Sequence, residues 1–224
     1  MTLVLGIDTS TATASVAVLQ DDRVLALTHE HTRGSDLLVM IDAACVGAAI
    51  GPHDLDAVAI GAGPGSFTGL RVGMATAKGI AFAAKCPLWA VSSLAALASG
   101  ELADDPSGTV VAVLDARRGE VYAGAYRREG DALVAASDER VLPPGELASL
   151  APGARYVGDA DAAYPALAEL PGAWGRTPSA ADVARLALAG SRADVLVAGT
   201  PAYIRRAEAE IRYPDGVPGA LRKR

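Results

Sequence analysis

Apolar residues run along this chain in two rhythms, and the changes between them predict its elements. Leu3–Asp8 is an apolar run closed by an acid and reads as a short buried strand. Thr9–Thr13 is a polar turn, and Ser15–Leu19 is a second strand. After a tight turn at Asp21-Asp22, Arg23–His31 alternates, with Val24, Ala26 and Thr28 on one face and Leu25, Leu27 and His29 on the other. An antiparallel meander is expected. The period then becomes helical: Leu37, Met40, Ile41, Ala44 and Ala48 share one face of Leu37–Ile50, which Ser35 or Asp36 can cap and Gly51-Pro52 stops. Leu55–Ile60 reads as a strand, Gly69–Ala84 as a helix, Leu88–Val91 as a strand and Leu94–Leu102 as a helix capped by Ser92 or Ser93.

Acidic, Pro and Gly residues cluster at Asp104–Gly108, the best linker in the chain. Beyond it the opening plan returns. Val110–Leu114 is closed by Asp115, Glu120–Tyr126 follows, and a weaker strand at Leu133–Ala136 comes after the Gly130-Asp131 turn. A Pro/Gly-rich stretch (Pro143–Gly153), a short strand at Tyr156-Val157, helices at Ala162–Leu170 and Ser179–Ala189 and a short charged end at Tyr203–Arg212 complete the pattern. The duplication predicts an α/β protein of two related lobes, 1–103 and 104–224, each a mixed sheet with flanking helices. The last helix is free to pack back on the first lobe.

Composition narrows the function. Of 224 residues 51% are apolar but only 4% aromatic, so small aliphatic side chains must build the core. A net charge of −6 argues against a protein that grips nucleic acid by itself. The basic end, Arg222-Lys223-Arg224, reads as a solvated tail. Cys45 and Cys86 form no CxxC pair and sit in apolar stretches, where a thiol behaves as a small hydrophobe. The N-terminus lacks a signal-peptide layout and no stretch suits a bilayer span, so a cytoplasmic protein is expected.

The central motif is Gly61-Ala62-Gly63-Pro64-Gly65-Ser66-Phe67-Thr68-Gly69-Leu70-Arg71-Val72-Gly73, between a strand and a helix. It fails as a P-loop, because Leu70 and Arg71 follow Gly69; as a dinucleotide loop, because Thr68 replaces the third glycine; and as a nucleophile elbow, because Phe67 is central. Spacing favours a tight strand-to-helix turn capped by Ser66 or Thr68. In the following helix Gly69, Gly73 and Ala77 repeat every four residues, with Met74, Ile80 and Ala81 extending the apolar surface. So much apolar surface exceeds what one sheet covers, which points to a subunit interface. His29 and His31 share a strand face but lack a third metal ligand, and read as exposed strand residues. Asp8 and Asp115 each end a strand, an arrangement that could hold a metal nucleotide in an actin-like ATPase.

The segments Leu5-Gly6-Ile7-Asp8-Thr9-Ser10, Gly63-Pro64-Gly65-Ser66-Phe67-Thr68-Gly69-Leu70-Arg71, Asp115-Ala116-Arg117-Arg118-Gly119-Glu120-Val121-Tyr122 and Pro201-Ala202-Tyr203-Ile204-Arg205 together resemble the TsaB (YeaZ) family across essentially the whole chain. The resemblance implies the ASKHA fold of actin-like ATPases. It also implies a non-catalytic subunit that pairs with the paralogue TsaD, the enzyme that transfers threonylcarbamoyl to tRNA adenosine, with the ATPase TsaE joining them. Pairing, or homodimerisation, is implied for the helices Leu37–Ala49 and Gly69–Ala84. Leu37, Met40, Ile41, Ala44, Gly69, Leu70, Gly73, Met74 and Ala77 are the candidate contacts. The implied tRNA contact is indirect, with no resident cofactor or metal, no catalytic residue, and ATP or ADP only at the complex interface. The chain departs from the family pattern at three points. It has none of the HxxxH of TsaD-like subunits, Gly34-Ser35-Asp36 stands where many relatives have His-Ser-Glu, and Arg117, Arg118 and Glu120 crowd a turn that is glycine-rich in nucleotide-binding relatives. The alternatives are an ATPase or small-molecule kinase acting alone, and then a metallopeptidase.

Overall fold

The computed structural model describes residues 1–31, 36–196, 199–202 and 204. Two six-stranded mixed sheets follow one another along the chain. The first contains β1 (Leu3–Asp8), β2 (Thr13–Gln20), β3 (Arg23–His31), β4 (Ala57–Gly61) and β5 (Leu88–Val91), with β12 (Ala193–Asp194) on its edge, in the order β12-β5-β4-β1-β2-β3. The second runs β11 (Gly172–Trp174), β10 (Arg155–Gly158), β6 (Thr109–Asp115), β7 (Val121–Glu129), β8 (Ala132–Ala135), with β9 (Arg140–Leu142) also on β7. The duplication is visible in the pairing. β1 lies antiparallel to β2 and parallel to β4, as β6 lies antiparallel to β7 and parallel to β10.

Helices cover both faces of the first sheet, which is why β1 and β4 are near-continuous apolar runs without alternation. On one face, α1 (Leu37–Gly47) lies over β2 and β3, and α2 (Phe67–Ala84) over β1 and β4. On the other face lies α4 (Ala180–Leu188), whose Ala181, Val183, Ala184 and Ala187 pack with Val4, Ala17 and Ala59. Thus α4 and β12, which follow the second sheet in sequence, lie on the first in space. Between them, α3 (Ser93–Asp104) packs Leu94, Leu97 and Leu102 on Val110, Ala112 and Leu114 of β6.

Two elements differ from the sequence expectation. Ala162–Leu170 is not one helix but two 3-10 turns, Ala160–Ala162 and Pro165–Glu169, because Pro165 lacks an amide hydrogen and its ring excludes a preceding helical turn. The short edge strands β9, β11 and β12 carry too few residues for a period and form because a neighbouring strand offers unpaired amides and carbonyls. Ser35 and the charged end, Ile204 excepted, lie outside the described residues. Among the described residues no helix is long and apolar enough to cross a membrane.

Candidate functional site

The site grows from the end of β1. Asp8 is fully buried, and both its oxygens are engaged. The Ser10 amide (2.8 Å) and hydroxyl (2.6 Å) donate to Oδ1, and the Ser93 hydroxyl (2.7 Å) donates to Oδ2. Burial pushes the carboxyl up to about 6, against these hydrogen bonds, which favour the charged form. Ser93 Oγ also accepts from the Gly63 amide at 3.2 Å. The glycine-rich turn is stitched to the same hub. The Ser66 amide donates to the Ser10 carbonyl (2.6 Å), the Ala62 amide to Val91 (2.8 Å), and the Gly69 amide to the Ser66 hydroxyl (3.3 Å), which caps α2. Pro64 has no amide hydrogen. The Ala62, Gly63, Ser66 and Gly69 amides are thus used within the protein.

The glycines of α2 serve this close packing. Thr9 Oγ1 donates to the Gly69 carbonyl at 2.8 Å, and a Cβ on Gly69 or Gly73 would overlap Thr9 itself. Of the motif, Phe67, Thr68 and Arg71 point outward, with the Arg71 guanidinium stacked 3.8 Å over the Phe67 ring.

The residues expected at a partner contact lie on the inner sides of α1 and α2. Leu37, Met40, Ile41, Ala44, Leu70, Met74 and Ala77 are buried, all but Leu70 in one cluster with the chain's own sheet, and Gly73 is buried with them. The apolar periodicity marks the inward faces of α1 and α2. The outward face also carries apolar side chains. Seven large apolar side chains stay exposed among the described residues, and five belong to these two helices: Leu38 (63%), Val39 (68%), Val46 (71%), Phe67 and Phe82 (79%). Ala75 and Gly79 share the outer side of α2, and a Cβ on Gly79 would meet nothing within 4 Å.

The corresponding place in the second lobe is built differently. The Arg117 amide (2.7 Å) and the Tyr164 hydroxyl (3.3 Å) donate to Asp115 Oδ1, while the Arg117 guanidinium lies 3.3 Å from Oδ2. Arg117 and Arg118 are both left-handed (φ 61° and 60°), and both are exposed. Asp159 receives the Asp115 amide at 3.4 Å, and burial, with the neighbouring Asp115 charge, pushes its carboxyl up to about 6. The lobes are clasped where the Ser92 hydroxyl, the cap of α3, and the Tyr126 hydroxyl both donate to Glu139. His29 and His31 are exposed on β3, and among the described residues no group of three or more side chains could hold a metal. Cys45 and Cys86 are buried thiols, pushed up by burial.

Comparison with known proteins fixes the lineage. The family model described as TsaD: tRNA N6-adenosine threonylcarbamoyltransferase matches residues 28–180. The Escherichia coli tRNA threonylcarbamoyladenosine biosynthesis protein TsaB is 37% identical over 146 residues, 63% of this chain and 62% of that protein. An uncharacterized Mycobacterium tuberculosis protein is 33% identical over 216 residues, 92% of this chain and 93% of that one. The solved structure of YeaZ from Pseudomonas aeruginosa matches with a TM-score of 0.79 and 31% identity, over 91% of this chain and 100% of that one. The chain belongs to the TsaB/YeaZ family. Its two mixed sheets with flanking helices are the ASKHA-like architecture that the resemblance implied. The match spans about three-fifths of the length of the Escherichia coli TsaB protein (62%). The region matched by the family model contains α1, α2 and α3 and ends at the first residue of α4.

Proposed function

We propose that this TsaB/YeaZ-family protein is a non-catalytic subunit in the synthesis of threonylcarbamoyladenosine in tRNA. It acts in the cytoplasm by pairing with a TsaD-like catalytic paralogue, and a TsaE-like ATPase joins the pair. The observation that carries this reading is the outward face of α1 and α2, where Leu38, Val39, Val46 and Phe82 are left to water. Large apolar side chains concentrated on one face mark an interaction surface, and the same face can serve a homodimer when the paralogue is absent. The pairing contacts are therefore assigned to the outward residues and not to the inward stripe.

The reading as an ATPase acting alone needs Asp8 and Asp115 in an open cleft. Asp8 is sealed by Ser10 and Ser93, and a Cβ on Gly61 would overlap its carboxylate. Asp115 is tied to the Arg117 and Tyr164 of its own lobe.

Reconstitution tests the role. Unmodified tRNA is incubated with the TsaD-like paralogue, the TsaE-like ATPase, ATP and the threonylcarbamoyl donor, with and without this chain. Threonylcarbamoyladenosine is expected only when this chain is present, and this chain alone is expected to hydrolyse no ATP. Full modification in its absence would overturn the proposal.

A further inference from the structure

A cavity of about 260 Å³ lies where the lobes meet, lined by Leu97, Gly100 and Glu101 of α3, Val157 of β10, Asp182 of α4, and Arg176. His29 of β3, Thr177 and Ser179, the cap of α4, complete it. Asp182 is mostly buried, and burial raises its carboxyl above the usual range although Arg185 holds Oδ1 at 3.1 Å. Its other oxygen faces α3: a Cβ on Gly100 would lie 2.7 Å from Oδ2. Gly100 sits inside α3 without a positive φ, so the backbone does not demand glycine there, and glycine weakens a helix relative to alanine. Its absent side chain leaves the carboxylate its place beside the cavity.

The lining is mixed in charge. Asp182 and Glu101 supply carboxylates. Arg176 is half exposed, and its bridge to Asp104 is long, at 3.7 Å, so the guanidinium can turn to an incoming anion. Leu97 and Val157 are apolar. We propose that this cavity binds a small aliphatic α-amino acid as its zwitterion. The ammonium goes to Asp182 and Glu101, the carboxylate to Arg176, and the side chain to Leu97 and Val157. Drug-sized pockets begin at roughly 300 Å³, so this volume selects a ligand of few heavy atoms. Asp182, Glu101 and Asp104 together repel a phosphate ester.

The test is titration of the intact protein with L-valine, read by amide chemical shifts and by the melting temperature. L-Valinamide, which lacks the carboxylate, and N-acetyl-L-valine, which lacks the ammonium, run beside it. L-Valine is expected to give saturable shifts at Gly100, Thr177 and Asp182 and a melting temperature that climbs with its concentration. Each blocked derivative should bind at least about tenfold more weakly, the loss of one charge-assisted hydrogen bond. Gly100→Ala, which fills the space beside Asp182, and Glu101→Gln, which leaves the packing intact, should each weaken L-valine by about tenfold on the same grounds. No saturable shift at millimolar L-valine, equal binding of either blocked derivative, or unchanged affinity in folded Glu101→Gln would overturn the proposal.

Discussion

The two sides of α2 carry the same kinds of residue and obey opposite rules. Its inward side has Gly69, Gly73 and Ala77, and its outward side Ala75, Gly79 and Ala83. Inside, Gly69 and Gly73 are dictated by contact, because any side chain would enter Thr9 at the β1–β2 turn. Outside, Gly79 faces open space, and nothing in this chain requires it. Small residues on a helix thus do not reveal which partner they accommodate. On the inner side that partner is the chain itself. On the outer side Phe82, like Leu38, Val39 and Val46 of α1, is exposed and has no such partner assigned within the chain.

Substitutions separate the two sides, beginning with the hub beneath the inner one. Asp8→Ala leaves the Ser10 and Ser93 donors buried without an acceptor and opens a cavity; urea denaturation should show a loss of about 3–5 kcal/mol. Gly73→Ala forces a methyl into Thr9 and should cost about 2–3 kcal/mol in the same assay. A cost below that of an ordinary surface substitution would mean that α2 is not held as described.

The buried acids add a pH signature. The carboxyls of Asp8 and Asp159 are raised from 3.8 to about 6. Below pH 4 both groups carry their proton whether folded or unfolded. Between about pH 4 and 6 the unfolded chain releases these protons while the native state keeps them, so their contribution to stability falls as pH rises, and it levels off above about 6. Asp159→Asn preserves the acceptor for the Asp115 amide and should flatten that fall in a series of denaturation curves; an unchanged slope would contradict the assignment. The smallest effect belongs to the outer side, where Gly79→Ala should leave the fold intact and stabilise it by up to about 1 kcal/mol, measured by thermal melting.

Much of this was legible from the residues. The repeated strand-acid-turn-strand plan and the Ser66 cap both follow from local chemistry, and local chemistry decides local structure. Which apolar residues of α1 stay exposed was not legible. Leu38, Val39 and Val46 are as apolar as Leu37, Met40 and Ile41, so composition could not say which set faces the sheet. Contacts between remote segments were equally silent. Nothing near Ser92 in sequence announces Glu139, 47 residues away, and Asp182 joins the interlobe cavity only because α4 crosses back to the first sheet.

The central claim is that the outward face of α1 and α2 is the pairing surface. Its most direct test is size-exclusion chromatography with light scattering, in which this chain is mixed with the TsaD-like paralogue of the same organism. The wild type and a Val46→Glu/Phe82→Glu variant are run side by side, with thermal melting to confirm the fold. The account predicts a heterodimer with the wild type. It predicts a loss of at least about 100-fold in affinity for the variant, since each buried apolar side chain contributes about 1.5–3 kcal/mol. A variant that melts like the wild type and still pairs with equal affinity would contradict it.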